Sequence, residues 1–154
     1  GFFNNPLATV VPAGATLAAS TPDVAATIVN AALTSVEVNT GETFMADTLI
    51  LPTAVYNALA SRRMTDTNMT VLAYIIANAV VPNLTVKKSR HLTTSMVAYA
   101  NTMEVHRYHL PGGGHQFAPA WQKGPFSWEV PGIMATGGYE NRIPKAITFY
   151  TGVA

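Results

Sequence analysis

The stretch FMADTLILPTAVYNAL, residues 44–59, decides the fold. Phe44 to Leu51 is a short, mostly apolar run of strand length. Pro52 closes it, because proline has no N–H to give to a β-ladder. Immediately afterwards Val55, Tyr56 and Leu59 share one helical face and predict a short helix. Arg62 and Arg63 fall at its C-terminal end, where cations meet the negative end of the helix dipole.

Upstream, Thr21-Pro22-Asp23 is a helix start: a threonine cap, proline at the first helical position and an acid in the first turn. Val24, Ile28, Ala32 and Val36 recur every four residues, with Val29 and Leu33 beside them. This predicts a helix over 22–38 with one apolar stripe, ending before Gly41. Residues 6–19 are small and apolar but broken by Pro12 and Gly14, and read as an extended lead-in rather than a packed element.

Downstream, Asp66 or Thr67 is expected to cap a third helix defined by Val71, Leu72, Ile75 and Ile76 and stopped between Asn78 and Pro82. Strand-like runs follow at Leu84 to Leu92, Met96 to Ala100, Val105 to Leu110, Phe126 to Val130, Ile133 to Thr136 and Ala146 to Tyr150. Helices and one strand come first and strands follow, which predicts an α+β domain with a mixed sheet flanked by helices.

Composition narrows the function. Hydrophobic residues make up 49% of the 154 and charged residues only 11%, against about a quarter in ordinary domains. Disorder and long exposed helices are excluded. A surface so poor in charge is weakly protected against association. Net charge is +1, which gives no general case for nucleic acid. All nine Lys and Arg lie from Arg62 onward, while Asp23, Glu37, Glu42 and Asp47 precede it. Such polarity fits head-to-tail attraction between copies. Cysteine is absent, so disulfides and thiolate chemistry are excluded. The apolar run Val71 to Val81 is too short to span a bilayer.

No catalytic pattern emerges. His106 and His109, at odd spacing on a strand, point to opposite faces and cannot share one metal ion. With His115 and the more distant His91 they form no HExxH or HxH motif. Gly112-Gly113-Gly114 lacks the Lys-Ser/Thr of a phosphate loop and reads as a turn or an inter-subunit loop after Pro111. The run Lys87-Lys88-Ser89-Arg90-His91 has no interleaved aromatics of the kind nucleic-acid sites use. It reads as a solvated or inter-subunit sheet edge, guarded by lysines. The stretch Phe117 to Phe126, with Trp121 inside it, is too apolar for a solvent loop and is read as either a core lid or an interface anchor.

These segments resemble tailed-phage and prophage major capsid proteins. The run from Met45 to Leu59 looks like the strand, proline and short helix of that family, with helix 22–38 packed beside it. Ser95 to Tyr99 resembles a strand of the prophage group with the Hong Kong ninety-seven-type shell fold. Residues 119–130 (PAWQKGPFSWEV) carry the most specific likeness, and residues 142–152 resemble the closing strand. The resemblance implies a self-assembling icosahedral shell subunit without enzyme activity, metal or cofactor. Its partners would be other copies in pentamers and hexamers, with packaged DNA met only indirectly, and its location the virion after assembly in the bacterial cytoplasm. It further implies a C-terminal half of the family chain, without N-terminal arm, extended loop or spine helix, and expected to be monomeric alone. Residues 1–19 would be a lead-in and peripheral segment, 20–140 the axial domain, and 141–154 a closing strand returning to the peripheral domain. Inter-subunit contacts are expected at Arg107, His109, Pro111, Gly112, Gly113, Gly114 and His115, and at Lys87, Lys88 and Arg90. Competing readings are an encapsulin-like compartment shell, a phage tail or head-decoration protein, and a small metal enzyme using His106, His109 and His115.

Overall fold

The computed structural model describes residues 2–65, 67–111 and 115–154. Asp66 and Gly112 to Gly114, and with them the expected Asp66 cap and glycine loop, lie outside the described residues. In chain order the elements are β1 (Thr9–Pro12), α1 (Pro22–Asn39), β2 (Thr48–Pro52), α2 (Thr53–Ser61), α3 (Val71–Ala77), β3 (Thr85–Ser89) and β4 (Ser95–Tyr99). Six short strands follow: β5 (His106–His109), β6 (His115–Phe117), β7 (Trp121–Gly124), β8 (Ser127–Glu129), β9 (Gly132–Met134) and β10 (Gly138–Asn141). β11 (Ile147–Thr151) closes the chain. This is a mixed α+β architecture, as the pattern of periodicities predicts.

Five strands form the central sheet in the order β1-β11-β4-β2-β3. Its two outer pairs are parallel and its inner pairs antiparallel. The inner strands are covered on both sides: Leu49 and Leu51 of β2, Met96, Val97 and Ala98 of β4, and Ile147 and Phe149 of β11 are all buried. That is why these strands read as continuous apolar runs rather than alternating ones. α1 packs on β4 and β11, α2 on β2 and β3, and α3 touches both α1 and α2.

The start of α1 follows its sequence. Thr21 caps it, its Oγ1 accepting from the Val24 amide at 3.4 Å, with Pro22 in the first turn. The buried face is Ala25, Ile28, Val29, Ala32, Leu33 and Val36, while Val24 is left largely exposed. Asp23 has a tertiary role: Tyr74 of α3 donates its hydroxyl to Asp23 Oδ1 at 2.6 Å. Asn30 clips the other end of α3, donating to the Asn78 carbonyl at 3.0 Å and accepting from the Val80 amide at 3.1 Å. The cap of α3 is Thr70, whose Oγ1 accepts from Ala73, not Thr67. The expected strand from Leu84 to Leu92 ends at Ser89, so Arg90 sits in the following turn and does not share a strand face with Lys88.

The lead-in is a packed element, contrary to the reading of its breakers. β1 runs parallel to β11 from Thr9↔Thr148 to Pro12↔Thr151. The Ala13 amide donates to Thr151 and the Leu17 amide to Val153, both at 2.8 Å. Leu17 is wholly buried. Pro12 and Gly14 did not exclude this, because Pro12 ends an edge strand, where a missing donor costs nothing, and Gly14 takes a positive φ of 78° at the bend beyond it.

Arg62 does more than sit near a helix dipole. Its Nη1 donates to the Ala18 carbonyl and its Nη2 to the Ser20 carbonyl, each at 2.6 Å. The guanidinium therefore ties the end of α2 to the segment that leads into α1.

Candidate assembly surface

β5 to β10 pair as one nested ribbon. β5 pairs with β10, β6 with β9 and β7 with β8, all antiparallel. Among its described residues, from 106 to 141, none is buried. The turn at its tip is Pro125-Phe126. Proline holds φ near −65°, so this turn cannot be the primed type that matches strand twist. A register shift between Gln122 and Gly124 takes up the mismatch.

At the base the ribbon is anchored through aromatic rings. Phe2 meets Tyr99 edge-on at 4.9 Å and Tyr139 at 5.7 Å, and His106 stacks on Tyr139 at 5.8 Å. His106 Nε2 and Asn101 Oδ1 are 3.1 Å apart, and the Asn101 amide donates to Asp47 Oδ1 at 2.8 Å. Burial pushes the His106 pKa down, with Asp47 opposing. Burial, with a smaller effect of Tyr99, pushes Tyr139 up to about 12. Burial thus disfavours the charged form of both rings.

The other face of β5 carries charge. His109 Nε2 lies 2.7 Å from Glu140 Oε2, and Arg142 Nε 3.6 Å from the same oxygen. The hydrogen bond from His109, joined by the charge of Arg142, holds the Glu140 carboxyl below the usual glutamate range. Stability from this contact is therefore present above the ordinary carboxylate pKa and lost as pH falls through the depressed one. By NMR titration, Glu140 is expected to ionise below an ordinary glutamate, and His109→Ala is expected to move its midpoint back up. An unchanged midpoint in the variant would show that the pairing is not formed in solution.

A close approach fixes the base. A Cβ on Gly137 would stand 2.9 Å from the His109 Cβ, and Gly138 has a φ of 87°. The Gly137 amide donates to the His109 carbonyl at 2.8 Å.

The expected contact residues fall into two places. Arg107, His109 and Pro111 stand on the ribbon near its base, exposed. His115 opens β6. Lys87 and Lys88 lie on β3, the edge strand next to β2. Lys88 Nζ stands 5.6 Å from the Tyr56 ring centre. Among the described residues no three His, Cys, Asp or Glu side chains gather where a metal ion could sit, and no helix is long and apolar enough to cross a membrane. Residues 117–126 are exposed, not a core lid. The pairing of strands 106–141 escaped the strand-by-strand reading. Its signal is a pair of prolines, Pro119 and Pro131, standing six residues to either side of Pro125.

This mixed α+β fold is similar to that of solved capsid and virus-like-particle structures. The capsid protein of Myoviridae phage XM1 has a TM-score of 0.76 over 99% of this chain and 53% of its own, at 20% identity. The virus-like particle protein from Pyrococcus furiosus gives 0.59 over 97% and 58%, at 14% identity. A Mycobacterium phage Che8 structure gives 0.56 over 93% and 53%, at 15% identity. The chain thus spans little more than half the length of these structures. Among curated proteins none matches. The family model described as major capsid protein matches residues 1–153, and the chain belongs to that family.

Proposed function

We propose that this chain is part of a structural subunit of a phage or prophage capsid, acting by self-assembly and not by catalysis. The observation that carries this reading is the family match over residues 1–153, and the likeness in fold to a phage capsid and a virus-like particle supports it. Copies would meet by heterologous contacts, one surface against a different surface of the next, closing into pentamers and hexamers. Packaged DNA would be enclosed without a dedicated binding site. The subunit would assemble in the bacterial cytoplasm and end in the virion.

Residues 20–140 are proposed as the axial domain and the flanks 1–19 and 141–154 as peripheral. Because β1 and β11 share a sheet with β2, β3 and β4, these parts would move as one body. Ring contacts are proposed at Arg107, His109, Pro111, the glycines 112–114 and His115, with the β3 edge and Arg90 facing a lateral neighbour.

Electron microscopy of the complete gene product tests the reading. Closed particles are expected from the wild type, and deletion of Gly112 to Gly114 is expected to abolish rings while the melting transition is kept. A wild-type product that stays monomeric at every concentration would overturn the function; normal particles from the deletion would overturn the ring assignment.

A further inference from the structure

We infer that the outer ribbon, residues 115–134, docks between neighbouring copies of this chain through Trp121, Phe126, Trp128, Ile133 and Met134. The inference rests on the shell reading and deepens it by naming the contact element. These side chains are 50%, 100%, 65%, 74% and 58% exposed. A two-stranded ribbon is marginal in water on its own, and exposed apolar surface in excess of what an isolated protein tolerates marks an interaction site. Together the five leave about 800 Å² in water, divided between two faces, an amount of the order of one partner's share of a stable interface.

Register shows that both faces are apolar. Trp121 stands opposite Glu129 and Trp128 opposite Gln122. Residues 121 and 122 are successive, so the two tryptophans project to opposite faces. Ile133 and Met134 diverge in the same way. A ribbon built to fold back on its own body would need only one apolar face. This one needs cover on both, as a cleft between copies provides.

Charge identifies the partner class. The outer ribbon carries only Lys123 and Glu129 as fixed charges, and they pair at 2.8 Å. Nucleic acid would require a net positive surface. A neutral aromatic tip with its charges already matched fits another apolar protein surface. A second copy is the partner that membership of a shell family supplies.

Trp121 and Trp128 are the only tryptophans of this chain, so once every tryptophan outside it is replaced by phenylalanine, fluorescence of the complete gene product reports on the ribbon alone. Emission is expected to shift to the blue, and iodide quenching to fall several-fold, as copies associate. Phe126→Ser is expected to keep the melting transition and to raise the concentration needed for association by at least about tenfold. Particles whose tryptophans stay fully quenchable would overturn the inference and leave the shell reading standing. Shielded tryptophans in small oligomers that never close would support the inference and overturn the shell. Shielding by phosphatidylcholine vesicles, with none on raising protein concentration, would overturn it in favour of a membrane surface. Association of Phe126→Ser at wild-type concentrations would overturn it as well.

Discussion

Leu17→Ala is expected to destabilise the protein by about 2–5 kcal/mol. Leu17 is 0% exposed, although it lies in a segment whose composition reads as a loose lead-in. Its backbone is fixed as well, the amide donating to the Val153 carbonyl at 2.8 Å. With main chain held on both sides, the site cannot collapse around a smaller residue, so a cavity remains in addition to the lost transfer energy. Urea denaturation monitored by far-UV circular dichroism measures it. A loss below 0.5 kcal/mol, in the range of an ordinary surface substitution, would show that the segment is not packed in solution.

Arg62→Ala is expected to cost about 2–4 kcal/mol, because two hydrogen bonds from a charged donor are lost and two carbonyls lose their partner. The contacts bridge 42 and 44 residues of sequence, to Ser20 and Ala18, and so hold the entry to α1 against the end of α2. Arg62→Lys is expected to recover less than half of the loss, since an ammonium cannot reproduce the fork that reaches both carbonyls. The same denaturation series measures both variants. Full recovery by lysine would show that charge near the helix end, rather than the fork, is what matters.

Local signals made much of the body legible. Thr21-Pro22-Asp23 marks the start of α1, and the run Phe44 to Leu51 marks a buried strand handing over to α2, although the strand begins only at Thr48 and takes in Pro52, because caps, prolines and periodicity act within a few residues. What was not legible depends on distant partners. β1 is a strand only because β11 lies beside it, 139 residues later at each step of the register. The helix stripe was placed slightly off, with Val24 outside and Ala25 inside, since tertiary packing and not periodicity chooses which side of a small apolar helix is covered. On the ribbon the odd spacing of His106 and His109 separated their roles, one in an aromatic anchor and one beside Glu140. The unpacked state of Trp121 and Trp128 could not be read, because composition alone does not distinguish a residue buried in its own core from one that stands outside it.

The position of β11 between β1 and β4 also orders events in time. β1 is made before its partner and has no neighbour to pair with until Ile147 to Thr151 have been made. At ordinary translation speed that interval is on the order of ten seconds. Through it the sheet stays open and the body cannot present a finished surface to another copy. On the shell reading proposed above, newly made chains are expected not to associate before synthesis has passed the closing strand, a delay that strand order alone would impose.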